Sequence, residues 1–124
     1  MLIEKRLEHG VTAARVNSPR IEARIADQLA EGLIEAYRPT HAIAIDFSKV
    51  DFIDSTGMKA IMTVLLHCRK TEGACVLHGV SEDIMSIFVI TRLHKLIPIV
   101  DSEEEAIRMA RSIAEENLRR TNAI

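Results

Sequence analysis

The feature that most constrains the fold is an unbroken apolar run, Ala42-Ile43-Ala44-Ile45, which stops at Asp46. A strand with one face in water alternates apolar and polar residues, and this run contains no polar position. It therefore predicts a strand that is covered on both faces or lies centrally in a sheet. Cys75-Val76-Leu77 predicts a second buried strand, so helices should shield at least one face of the sheet.

Two helical patterns flank these runs. Apolar residues spaced by three and four predict a first helix from about Ile21 to Tyr37, which ends before Pro39. The second predicted helix is the most apolar, and Gly73 is its expected terminator. Its apolar stripe consists of Met58, Ile61, Met62, Leu65 and Leu66.

The C-terminal part predicts two more helices and an edge strand. Ser81 is the expected cap of a third helix, and Pro98 places a last strand, Leu96 to Val100, at a sheet edge. Ser102-Glu103-Glu104-Glu105 opens the final helix as a capping box. We expect residues 116–124 to fray. The apolar stripe of this helix is predicted to be Ala106, Met109, Ala110 and Ile113.

The N-terminal segments complete the architecture. Leu2 to Leu7 and Val11 to Val16 predict a hairpin, with Gly10 supplying a positive φ in its turn. Strands that alternate with helices after such a hairpin predict an α/β fold with one mixed sheet and about four helices. The length of 124 residues fits a single domain over residues 1–124.

Composition narrows the function classes. A net charge of −2 and an aromatic content of 3% argue against nucleic-acid binding and against a stacked cofactor. No window approaches the about 18 to 20 apolar residues of a membrane span, and the N-terminus lacks the apolar run of a signal peptide. We therefore expect a cytoplasmic protein with no cofactor, no nucleic-acid partner and no direct membrane insertion.

The cysteines and histidines do not predict a metal site. Cys68 and Cys75, in a reducing compartment, are expected to be buried thiols. Together with His67 and His78 they offer the donor types of a zinc site, but their spacing matches no recognised zinc pattern.

The link between the first buried strand and the second helix is the most informative stretch. Asp54, Ser55 and Thr56 all carry side chains that accept hydrogen bonds from the free N–H groups of a helix's first turn, so one of them is the predicted N-cap. Gly57 would leave the neighbouring backbone open to a close-fitting partner. On residue types alone, a simple helix start is favoured over a functional site.

A family resemblance favours the functional interpretation. The segment from Asp46 to Met58 resembles the signature of STAS domains, the anti-sigma factor antagonist family. The resemblance continues through Glu72 to Ser81 and Ile90 to Ile99, and it ends at Asp101 to Ala106. It is continuous from about residue 42 to 106, whereas the N-terminal third matches only in its order of elements.

The resemblance implies a phosphorylation switch. In that family, the serine directly after the aspartate, here Ser55, accepts a phosphoryl group from an anti-sigma factor that is itself a serine/threonine kinase. The unphosphorylated antagonist binds this kinase and frees a sigma factor, and a phosphoserine phosphatase reverses the modification. The chain would then be a kinase substrate and not an enzyme, and a monomer or weak homodimer. Thr56 is the second candidate acceptor.

The resemblance also implies a partner-binding surface around this turn. In the family, the loop after the second strand helps to form that surface and usually carries a glycine and an aspartate. This chain has Asn17-Ser18-Pro19-Arg20-Ile21-Glu22 there, with Glu22 as the candidate substitute for the aspartate. The predicted partner-binding residues are Glu22, Asp54, Ser55, Thr56, Gly57 and Met58.

Three other functions compete with this one. STAS domains also serve as accessory subunits of lipid transporters and as scaffolds in sensor assemblies, which is the main alternative. A receiver domain phosphorylated on Asp46 would need an acidic pair after its first strand to hold Mg²⁺, and the chain has Glu8-His9 in a hairpin there. A serine hydrolase would need a nucleophile elbow, which Ser55 lacks.

Overall fold

The computed structural model describes residues 1–122 as one α/β domain. In chain order, its elements are β1 (Ile3–Glu8), β2 (Val11–Val16), β3 (Arg20–Ile21), α1 (Ala23–Tyr37), β4 (Ala42–Asp46), β5 (Phe52–Ile53), α2 (Ser55–Lys70), β6 (Ala74–His78), α3 (Glu82–Ile90), a 3₁₀ turn (Leu93–Lys95), β7 (Ile99–Val100) and α4 (Glu103–Asn122). Within this part of the chain, no helix is long and apolar enough to cross a bilayer.

The main sheet has five strands in the order β1-β2-β4-β6-β7. The β1–β2 pair is antiparallel and the other pairs are parallel, which confirms the predicted mixed sheet and N-terminal hairpin. His9 and Gly10, with φ of 53° and 78°, form the hairpin turn. Strand β7 lies at the edge, as Pro98 predicts, and the Leu77 N–H donates to the Pro98 carbonyl over 2.9 Å.

The two faces of the sheet are packed differently. Bulky residues such as Leu29, Phe47 and Phe88 fill the face covered by α1, α2 and α3. Small residues fill the face covered by α4. They include Ala13, Ala44, Val76, Ala106 and Ala110. Strand β4 is therefore buried on both faces, as its unbroken apolar run predicts.

Several predicted boundaries were wrong. The first helix begins at Ala23, because Ile21 belongs to β3, which pairs in parallel with β5. The last strand is shorter than predicted, since Leu96 follows a 3₁₀ turn. Helix α2 ends at Lys70, and Glu72, at φ 58°, takes the left-handed conformation before Gly73.

Helix α4 also differs in detail. Met109, which was predicted to lie on the apolar stripe, is 37% exposed, and Ile107 is buried in the core instead. The Glu105 N–H donates to Ser102 Oγ over 3.1 Å, which supplies one half of the capping box. The helix continues to Asn122, and residues 123 and 124 of the segment expected to fray lie outside the described part.

The two cysteines are buried free thiols, as predicted. Cys68 lies on α2 and Cys75 on β6. A hydrogen bond with Cys68, together with burial, raises the pKa of the Cys75 thiol. Cys75 therefore stays protonated at neutral pH and is a poor nucleophile.

Candidate functional site

The start of helix α2 is capped by Asp54. Its backbone is extended, with φ −99° and ψ −175°, and its Oδ1 accepts a hydrogen bond from the Gly57 N–H over 2.8 Å. The Asp54 carbonyl also accepts from the Met58 N–H over 2.9 Å. Of the three candidate N-caps, Asp54 is therefore the one that caps the helix, and Ser55 is the first helical residue.

Ser55 is exposed at this position. Because Asp54 supplies the cap, the Ser55 hydroxyl is not required to hold the helix together. The N-terminus of a helix carries a partial positive charge, which favours a nearby anion by about 0.3–1 kcal/mol. An added phosphate would gain this interaction but would also lie close in sequence to the carboxylates of Asp51 and Asp54.

Gly57 is buried against the chain itself. A Cβ added at Gly57 would lie 2.4 Å from the Ile21 carbonyl oxygen and 2.8 Å from Ile53 Cγ1. Real Cβ atoms do not approach a backbone oxygen so closely. The expectation that Gly57 leaves its backbone open to a partner is wrong, because β3 already occupies that space.

The loop after β2 packs beside the Ser55 turn. The Pro19 carbonyl accepts from the N–H groups of Asp51 and Phe52 over 2.9 and 3.1 Å, and the Asp54 N–H donates to the Ile21 carbonyl over 3.1 Å. Since β3 and β5 run parallel in register, the helices that follow them, α1 and α2, begin side by side.

Glu22 is at the start of α1 and is thereby brought next to the start of α2. It occupies the N-cap position of α1 without a side-chain capping bond. Its carboxylate accepts from Arg20 Nε over 3.3 Å, and it is half-buried. The structure therefore brings Glu22 and the Asp54-Ser55 turn together on one surface.

Sequence reasoning missed two members of this surface, Arg20 and Phe52. The guanidinium carbon of Arg20 lies 3.9 Å from the centre of the Phe52 ring, and Phe52 is 37% exposed. This is the geometry of a cation–π contact. Strands of two residues are too short to show a periodicity, so no pattern in the sequence could pair them.

Thr56 and Met58 face different surroundings. Thr56 is half-buried and lines a groove of about 290 Å³ between α1 and α2, together with Lys59 of α2. Met58 is half-buried and packs against the main core. Among residues 55–58, only Ser55 is exposed, which makes it the more accessible of the two candidate acceptors.

The STAS domain family model matches residues 3–106. The chain belongs to the STAS domain family. Its sequence is 32% identical over 87 residues to the anti-sigma-B factor antagonist of Listeria monocytogenes, covering 68% of this chain and 75% of that protein.

Solved structures share the STAS fold. The phosphorylated form of the Bacillus cell fate determinant SpoIIAA matches with a TM-score of 0.64 and 17% identity, covering 86% of this chain and 97% of that one. A sulfate transporter family protein from Wolinella succinogenes matches with a TM-score of 0.74 and 23% identity, covering 90% of this chain and 93% of that one. At these identities, the likeness concerns the fold alone.

Proposed function

We propose that this STAS domain is a non-enzymatic signalling protein that binds an anti-sigma factor serine kinase and thereby releases a sigma factor. Phosphorylation of Ser55 would end this binding, and a phosphoserine phosphatase would restore it. The observation that carries the proposal is the exposed serine at the first position of α2, directly after an aspartate that supplies the cap. The similarity to the Listeria anti-sigma-B factor antagonist supports the same role.

The geometry of α2 suits a modification that leaves the fold intact. The kinase would supply ATP and Mg²⁺, and the Ser55 oxygen would take the γ-phosphoryl group while ADP and the hydroxyl proton leave. The product carries about −1.5 to −2 charges at neutral pH. Because Ser55 is exposed and Asp54 supplies the cap, this charge stays in water in the free domain.

At a docked interface the same charge acts differently. The segments around Ser55 carry the carboxylates of Asp51 and Asp54, and that of Glu22, which is paired with Arg20. A partner that fits the unmodified serine must either remove water from the phosphate or place it against groups that do not neutralise its charge. The loss of buried contact and the like-charge repulsion then weaken the free energy of binding by several kcal/mol, which is about the change needed for release.

The test measures how tightly the protein and its variants bind an anti-sigma factor serine kinase of the same organism. Ser55→Asp should weaken the complex by at least about tenfold, or roughly 1.4 kcal/mol. Ser86→Asp adds the same charge at an exposed serine of α3, outside the predicted binding surface, and should leave the affinity unchanged. Wild-type affinity for Ser55→Asp would overturn the proposal.

The second candidate function is an accessory or scaffold subunit in a transporter or sensor assembly. The occurrence of the same fold in the Wolinella sulfate transporter family protein is compatible with it. Copurification with a transporter subunit, unaffected by Ser55→Asp, would support this alternative against the kinase switch. A receiver domain phosphorylated on Asp46 gains no support from the comparisons.

A further inference from the structure

A second group of ionisable side chains lies at the carboxyl ends of β4 and β6. Asp46 ends β4, His78 ends β6, and the two residues are direct partners in the parallel register. They follow Ala44 and Val76 by two positions, so they point to the face of the sheet that α4 covers. Glu103, the first residue of α4, lies over the same point.

These three side chains converge. One ring nitrogen of His78 and one carboxylate oxygen each of Asp46 and Glu103 all lie within 4.8 Å of one another. Asp46 and Glu103 are half-buried, and His78 is only 5% exposed. Within residues 1–122, this is the one group of three such donors that the structure brings so close.

The His78 ring supplies an independent observation. Its Nε2 is buried and has no hydrogen-bond partner among the described residues. Buried polar atoms are nearly always paired, and an unpaired one can mark the place where an ion binds. A neutral imidazole nitrogen is also the commonest protein ligand for metals.

We propose that Asp46, His78 and Glu103 bind a divalent transition-metal ion of the zinc type. One imidazole nitrogen and two carboxylate oxygens suit Zn²⁺ or Co²⁺, whereas Mg²⁺ prefers oxygen ligands alone. Such an ion binds each ligand at about 2.0–2.2 Å, so small side-chain rotations would close the ligand set. Three protein ligands leave a fourth position for water or for a group from a partner.

The surrounding groups orient this site and limit its affinity. The Ser48 N–H donates to Asp46 Oδ1 over 2.8 Å and fixes that carboxylate. Arg6 donates to both carboxylate oxygens of Glu103, over 2.5 and 3.3 Å, and also to Glu8. Arg6 therefore competes with a metal for Glu103. Glu103 also borders a groove of about 510 Å³ between α4 and the β1–β2 turn.

Calorimetric titration of the reduced, metal-free protein with Zn²⁺ tests the proposal. Wild type should bind one equivalent, and Glu103→Gln should weaken binding by at least about tenfold, since the charge of one ligand is lost. Glu104→Gln, the matched change at the next, exposed residue, should leave the affinity unchanged. Arg6→Gln should tighten binding, because it removes the competing cation.

Two further results would overturn the site. Equal affinities of Glu103→Gln and Glu104→Gln, or no Zn²⁺ binding by wild type, contradict it directly. A thiolate charge-transfer band on adding Co²⁺ would place the metal at Cys68 or Cys75 instead. If His78→Gln fails to fold, the comparison of Glu103→Gln with Glu104→Gln still tests the site, because both residues lie in the first turn of α4.

Discussion

Helices α2, α3 and α4 begin with different uses of serine. In α3 the Ser81 hydroxyl accepts from the Ile84 N–H over 3.2 Å, and in α4 the Ser102 hydroxyl accepts from the Glu105 N–H over 3.1 Å. In α2 the cap is Asp54, and Ser55 comes one residue later. A shift of one residue therefore separates a serine that caps a helix from an exposed serine that does not.

The difference has an energetic side. A carboxylate that caps a helix makes a charge-assisted hydrogen bond and complements the helix dipole. Asp54 can therefore hold α2 without help from its neighbour, whereas α3 and α4 lose their caps if their serines change.

Replacing Gly57 by Ala should be the most damaging single change at the start of α2. The new Cβ would lie 2.4 Å from the Ile21 carbonyl oxygen, and backbone cannot move aside as a side chain can. We expect a loss of about 1–3 kcal/mol in the free energy of unfolding, measured by urea denaturation.

Gly32 supplies the control, because it lies inside α1 and an added Cβ would meet only the tip of the Ile3 side chain. Gly32→Ala should cost much less or even stabilise, since alanine favours helix by up to about 1 kcal/mol. Equal losses for the two variants would contradict the close packing of β3 on α2.

Removing the caps should have the next largest effect. Asp54→Ala and Ser81→Ala should each lower the free energy of unfolding by about 0.5–2 kcal/mol, because each exposes an unpaired N–H in a first turn. Urea denaturation measures both. Asp54→Asn keeps an accepting oxygen and should retain most of the stability; a full loss in Asp54→Asn would assign the effect to charge and not to capping.

Adding charge at Ser55 should change stability only slightly. Ser55→Asp places an anion at the helix N-terminus and should raise the free energy of unfolding by at most about 0.3–1 kcal/mol at low salt. The gain should shrink as salt increases. Thermal denaturation at two salt concentrations measures this change in stability. A loss of stability larger than that of Ser81→Ala would show that the fold does not tolerate a negative charge at Ser55.

Removing the Ser55 hydroxyl should have the smallest effect on folding. Ser55→Ala should stay within about 0.5 kcal/mol of wild type, as expected for an exposed residue with no structural contact to lose. If urea denaturation shows that Ser55→Ala lowers the free energy of unfolding as much as Ser81→Ala does, then both serines stabilise their helices and the distinction between them is wrong.

Patterns that repeat along the chain were readable in the sequence. The run from Ala42 to Ile45 predicts the doubly buried β4, and the spacing of apolar residues predicts α1 and α2. The burial of Met109 was wrongly predicted because Met109 and Ile107 flank the Ala106 and Ala110 stripe of α4 on opposite sides, and only the packing against the sheet decides which of them is buried.

Features that depend on pairing between distant segments could not be read. Ile21 continues the helical spacing of α1, but its partner in β5 draws it into a strand. The choice of Asp54 over Ser55 as cap depends on backbone torsions that all three candidate residues can adopt. Asp46, His78 and Glu103 meet only because the sheet order places β4 beside β6 and α4 above them.

Locating the phosphate tests whether Ser55 is the residue that is modified. The protein is incubated with ATP and the anti-sigma factor serine kinase that it is proposed to bind, and the modified peptide is mapped by mass spectrometry in wild type, Ser55→Ala and Thr56→Val. Phosphate is expected on Ser55 in wild type and in Thr56→Val, and none is expected in Ser55→Ala. Undiminished phosphorylation of Ser55→Ala would contradict it.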